Sequence, residues 1–98
     1  MDTGKRDIND ERIFTGDILL VKHKQFDRKW LAKMIGSPRG IRGKDGNTHY
    51  WGLYDGHNFP APFSEFSSVE IVGYLGNESI FEWQEKNTNI VNTILQQR

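Results

Sequence analysis

Eight cationic side chains lie between Lys22 and Lys44: Lys22, Lys24, Arg28, Lys29, Lys33, Arg39, Arg42 and Lys44, with Asp27 the lone acid, a local charge of +7. Phe26 and Trp30 sit inside the run. Cations at this density can neutralise phosphates, which gives salt-sensitive binding that does not depend on base sequence. They can equally meet an acidic protein surface, stay as a solvated face, or pair with acids elsewhere in the chain. The residues that would carry a contact are Lys29, Lys33, Arg39, Arg42, Lys44 and Trp30. The whole chain has zero net charge, which weighs against a dedicated nucleic-acid binder, since such proteins are usually basic overall.

Other chemistry finds fewer candidates. His23, His49 and His57 are scattered, and a metal site needs at least three ligands to converge. There are no cysteines, so disulfides, a thiol nucleophile and the softest zinc ligand are excluded. Hydrolase, metalloprotease and phosphate-loop signatures are absent. Asp17 follows Gly16 and reads as a turn cap before a catalytic carboxylate. The expectation is therefore no enzyme activity, no cofactor and no metal.

The aromatics His49, Tyr50, Trp51, Tyr54, Phe59, Phe63 and Phe66 form a second cluster. Bases stack on such residues. A 98-residue chain must also bury several of them to build a core, and core packing is the stronger reading. Any exposed members would form a patch.

The elements that position these residues are mostly strands. Ten glycines favour many turns over a helical bundle. Strands are predicted near 12–15, 17–24, 29–36, 48–54 and 68–75, from short apolar runs bounded by turn residues. Within 29–36, Trp30, Ala32 and Met34 would face one way and Leu31, Lys33 and Ile35 the other. Residues 36–47 read as a Gly-rich loop at the tip of a long hairpin. Residues 55–62 read as a second loop, because its two prolines would spoil a central strand.

From Ser79 the pattern becomes helical. Ser79 and Glu82 have capping-box spacing. Ile80, Trp83, Asn87, Ile90, Val91, Ile94 and Leu95 recur at 3- and 4-residue intervals. Asn87-Thr-Asn89 is a poor helix interior, so the segment reads as one helix or as two hinged there. The helix would cover an open end of the sheet. Alternatively it would protrude and pair with a second copy through Trp83, Ile90, Val91 and Ile94.

Charge divides between the halves. Residues 1–49 hold eleven Lys/Arg against seven Asp/Glu, and residues 50–98 hold two against six. No run is apolar and long enough to cross a membrane, and the N-terminus lacks a secretion-signal core, so a cytoplasmic setting is expected.

Two segments carry a family resemblance. The first is Asp7-Ile-Asn-Asp-Glu-Arg-Ile-Phe-Thr-Gly16-Asp17-Ile-Leu-Leu-Val21. The second is Val69-Glu-Ile-Val-Gly73-Tyr-Leu-Gly-Asn77-Glu78. Their matching positions are Asp7, Asn9, Ile13, Phe14, Gly16, Asp17 and Ile18, then Val69, Ile71, Val72, Gly73, Asn77 and Glu78. The chain resembles the YopX-like family of small phage and prophage proteins. It departs at Asp10, where a glycine is usual, and at Tyr74, where an asparagine is usual. The resemblance covers about a quarter of the chain and implies a complex, barrel-like β fold and a mobile-element origin. It carries no catalytic residue across.

The expectation is one mostly β domain, barrel-like and either SH3-like or a complex barrel, with a C-terminal α-helical tail. Residues 1–7 would be a flexible N-terminus, 8–78 the β domain and 79–98 the helical segment. It would be a phage or prophage accessory protein that binds an acidic host or phage protein or nucleic acid through segment 22–44. The alternative is a self-assembling structural module that forms a homo-oligomer through its helix.

Overall fold

The computed structural model describes residues 2–57, 60–76 and 78–96, with side chains other than those of Ile94 and Leu95. Phe59 of the aromatic cluster and Asn77 of the second segment lie outside the described residues. The strands are β1 (Asp2–Arg6), β2 (Arg12–Phe14), β3 (Asp17–His23), β4 (Lys29–Arg42), β5 (Thr48–Tyr54), β6 (Ala61–Pro62) and β7 (Phe66–Tyr74). A 3-10 turn, Phe63–Glu65, separates β6 from β7. Helices α1 (Ile80–Lys86) and α2 (Thr88–Gln96) follow. The protein is mostly β with a short C-terminal helix pair, as expected. No helix among the described residues is long and apolar enough to cross a membrane.

β3 is an interior strand covered on both faces, and its composition explains why. Ile18 and Leu20 pack on one face with Leu31, Leu75, Ile80, Trp83 and Val91. Leu19 and Val21 pack on the other with Ile13, Ala32, Met34, Leu53, Phe66 and Val69. An apolar run without alternation is what a strand covered on both sides requires. Each fully buried aliphatic side chain contributes about 1.5–3 kcal/mol. The alternation expected in β4 holds: Trp30, Ala32 and Met34 join the second core, and Leu31 joins the first.

The five-stranded antiparallel sheet has the order β6-β5-β4-β3-β7. Its two edge strands, β6 and β7, are separated in sequence only by the three residues of the 3-10 turn. The sheet must therefore curl until its edges approach each other. No ladder joins β6 to β7 among the described residues.

β4, at 14 residues, is not a regular strand throughout. Between the pairs Gly36↔Trp51 and Ile41↔His49 the register shifts, with extra residues on β4. Pro38, which lacks an amide to donate, and Gly40, at φ 83°, lie in this bulge. The loop expected over 36–47 is thus shorter. Strand continues to Arg42, and the turn is closed by Gly43 N donating to Asn47 O at 2.9 Å.

Where a loose polar end is expected over residues 1–7, the structure has β1 paired with β2. Thr3 is buried, and its hydroxyl donates to the carbonyl of the fully buried Ile13 at 2.6 Å. One side-chain bond thereby ties this polar strand to the core.

The helical segment is two helices broken at Asn87, one of the two expected forms. Ser79 Oγ accepts from Glu82 N at 3.1 Å and starts α1. Asn87 leaves helical geometry at φ −115°, and its side-chain amide donates back to Trp83 O at 2.9 Å. It therefore finishes α1 with its side chain, while its carbonyl accepts from Val91 N at 2.9 Å and opens α2.

Candidate functional site

Two turns that are distant in sequence meet at one rim of the sheet. The first joins β3 to β4, and the second joins β4 to β5. Glu65, in the 3-10 turn, holds both. Its Oε1 accepts from His23 Nε2 at 3.3 Å, and its Oε2 accepts from Lys44 N at 3.3 Å. Its carbonyl accepts from Lys24 N at 3.1 Å. The Lys44 ammonium donates to Gln25 Oε1. A cleft of about 290 Å³ lies between the turns, lined by His23, Lys24, Gln25, Lys44, Asp45, Ser64 and Glu65.

His23 is buried and committed on both nitrogens. Nδ1 accepts from Gln25 N at 3.1 Å, so the proton of the neutral ring sits on Nε2, facing Glu65. The imidazole has no nitrogen left to move a substrate proton. Its ring lies 5.2 Å from Phe26, 6.5 Å from Trp30 and 5.3 Å from Phe66, centroid to centroid. This is a structural latch with an aromatic jacket.

The residues predicted to make a macromolecular contact do not all share one surface. Trp30 faces the curled interior with Phe66 and lies in the jacket around His23. Arg28 stands over the Trp30 ring at 5.9 Å. Lys44 reaches the same rim through Gln25 and Glu65. Lys29 and Lys33 alternate with Trp30 and so lie on the opposite face of β4, with Leu31. Lys29 is directly opposite Lys22 across the ladder, a like-charge pair that is unfavourable unless solvated. Arg39, within the bulge, and Arg42, beyond it, are exposed.

Among the described residues, none of the eight cations from Lys22 to Lys44 belongs to an ion pair. The Lys/Arg ion pairs fall elsewhere: Arg6–Asp10, Arg12–Asp2 and Lys86–Glu78, with His23–Glu65 and His49–Asp45 in hydrogen-bonding contact. The basic run is therefore not neutralised by the acidic second half.

The aromatic cluster is divided. Trp51, Phe63 and Phe66 pack in or against the core, while Tyr50 is 57% exposed. His49 sits 3.1 Å from Asp45, and His57 meets the Phe81 ring at 4.9 Å. Among the described residues no three His, Asp or Glu side chains gather to hold a metal. Asp17 is buried, and its Oδ2 accepts from Phe14 N at 2.8 Å. Burial raises its carboxyl above the ordinary value, against the pull of that amide.

The candidate oligomer face of Trp83, Ile90, Val91 and Ile94 is not an exposed stripe. Trp83 and Val91 are buried against the sheet, and of the described members only Ile90 is exposed. Gly73 is the reason: a Cβ there would sit 2.6 Å from Trp83 Cζ2, so the bare backbone admits the indole. The side chain of Ile94 lies outside the described residues. The helix pair covers the sheet, as the first of the two readings expects.

Two site residues do not stand out in the sequence. Glu65 lies 21 positions from Lys44 and 42 from His23, and no local pattern signals a carboxylate bridging two turns. Phe26 is 53% exposed within Lys24-Gln-Phe-Asp-Arg28. The signal for it was an aromatic in an otherwise polar turn. No family model, curated protein or solved structure matches the chain.

Proposed function

We propose that this protein is a phage or prophage accessory protein that acts in the host cytoplasm as a non-enzymatic binding module. It contacts an acidic host or phage macromolecule through the rim formed by the β3–β4 turn and the β4–β5 hairpin. The observation that carries this reading is the set of eight cations free of ion pairs among the described residues, in a protein of zero net charge. Of these, Lys24, Arg28 and Lys44 converge on the rim, and cations gathered on one part of a neutral protein favour an anionic partner there by charge complementarity. The engagement of His23, Asp7 and Asp17 in backbone and side-chain bonds supports a binding role over proton-transfer chemistry. The five-stranded order with a 3-10 turn before the last strand fits an SH3-like curl.

Salt elution from immobilised heparin tests the reading. The unaltered protein should be retained, and the double variant Lys24→Glu, Arg28→Glu, which reverses charge at the rim, should elute at clearly lower salt. Lys44 is left in place because it holds the rim together. Equal elution of the two proteins refutes the proposal.

A further inference from the structure

We infer that the rim is a single-stranded nucleic-acid site in which Phe26 is the stacking platform for a base. This rests on the binding-module reading and narrows its partner.

Phe26 is 53% exposed, yet it is not a loose side chain. Its amide donates to His23 O at 3.3 Å, and the adjoining Gln25 amide donates to His23 Nδ1. Beneath it lie the rings of His23 at 5.2 Å and Trp30 at 6.1 Å, the latter edge-on. One surface phenylalanine alone would mean little. Here the ring is braced by two aromatics at tilted and edge-on angles, so an incoming base meets a ring already held in place, at little ordering cost.

The charges around the ring suit a phosphate backbone. Lys24 and Arg28 flank Phe26 at two residues on either side. Lys44 arrives from the second turn through Gln25. Arg28 is steered over Trp30 at 5.9 Å, which leaves its planar head beside the platform. Asp45 lies 3.1 Å from His49, and Glu65 accepts from His23 and the Lys44 amide, so both carboxylates already have hydrogen-bond partners. Cations interleaved with an exposed aromatic are how proteins hold single strands without reading sequence. A duplex offers the same phosphates, but its base faces are already stacked on one another and cannot reach Phe26. An acidic protein segment would satisfy the cations and leave the ring without a matching partner.

The test uses fluorescence anisotropy with a labelled 15-residue oligothymidine, a duplex of the same length, and heparin elution in parallel. Phe26→Ala should weaken oligothymidine binding about fivefold or more, the size expected for losing one base–aromatic stack. Phe26→Trp should preserve it, and Phe26→Ala should leave heparin elution unchanged. The single strand should bind more tightly than the duplex. Equal binding of single strand and duplex, or unchanged oligothymidine binding by Phe26→Ala, overturns the platform while the polyanion reading stands. A parallel loss of heparin retention by Phe26→Ala assigns the ring a folding role and also overturns it. Displacement of the oligonucleotide by polyglutamate at equal charge concentration assigns the rim to an acidic protein and overturns it. If neither heparin nor oligothymidine is retained by the unaltered protein, both readings fall.

Discussion

The carboxylate of Asp7 accepts the backbone amide of Ile71 at 3.0 Å, across 64 residues of chain. Its other oxygen accepts from Asn9 N at 2.9 Å and Glu11 N at 2.8 Å. Ile8 N donates to Val69 O beside it at 2.8 Å. One side chain thus shapes the first turn and fastens it to the edge of β7. Further along, Leu75 N donates to Gly16 O at 3.0 Å. The two segments that carry the family resemblance are in this way bonded to each other.

Asp7 and Asp17 should respond to pH in opposite directions. Burial works against ionisation of Asp7, but the amides of Ile71, Glu11 and Asn9 outweigh it and hold the carboxyl below its ordinary value. A lowered carboxyl adds stability above its unfolded value and loses it as pH falls through the folded one. Asp17 is raised, so its contribution is full at low pH and is lost as pH rises through its folded value. Asp7→Ala should cost about 2–4 kcal/mol at pH 7, since it strands buried amide donors. Asp17→Asn should keep the bond from Phe14 and leave the pH 7 melting temperature equal or higher. Thermal melts of both variants at pH 4 and pH 7 check the pair of signs.

Asp10 adopts φ 63°, the left-handed conformation that glycine takes without strain. Asp10→Gly should leave stability unchanged or raise it by up to about 1 kcal/mol, and Asp10→Val should lower it by about 1–2 kcal/mol. Urea midpoints of the two variants decide this.

Gly73 and Trp83 are in close approach, and any side chain at 73 must push the indole away. Gly73→Val should destabilise by about 1–3 kcal/mol through overpacking. Because the clash falls between β7 and α1, limited proteolysis should cut first in the helical segment. Cleavage elsewhere with the helices intact would contradict this.

Ile90 and Val91 are neighbours in sequence with opposite surroundings, 51% and 9% exposed. Ile90→Glu should change stability by no more than about 0.5 kcal/mol, while Val91→Glu should cost about 3 kcal/mol or more by burying an unpaired charge. Melting curves separate the two. Light scattering on Ile90→Glu also tests the self-assembly alternative, which requires this variant to lose an oligomer.

Glu65 ties Lys44 to His23, so Glu65→Ala should free the hairpin tip. The Lys44 amide should then exchange with solvent about threefold to tenfold faster, the worth of one net hydrogen bond. Amides in the middle of β3 should not change. Exchange measured residue by residue by NMR checks both statements.

Much of the architecture is legible in local pattern. The apolar run Ile18 to Val21 announces a strand buried on both faces, and the alternation from Trp30 to Met34 predicts which side chains share a core. Ser79 and Asn87 mark helix boundaries because their side chains compete for nearby backbone groups, which is a local effect. Strand β1 was not legible, because its polar composition hides a dependence on one buried bond from Thr3 to Ile13. The extension of β4 through Pro38 and Gly40 was not legible either, since a bulge is stabilised by the curl of the whole sheet.

The cationic run, the aromatics within it and the absence of cysteine belong to the sequence alone, and they set the chemistry open to this protein. Which of those cations act together was decided by tertiary structure. β4 is broken by the bulge around Pro38 and Gly40, and the hairpin beyond it carries Lys44 back to Gln25 and Glu65. The same strand's alternation sends Lys29 and Lys33 to the far face and leaves Phe26, in the turn before it, at the surface over His23. Charge is a property of composition. A surface is made by where the backbone turns, and here the turns are fixed by contacts spanning tens of residues.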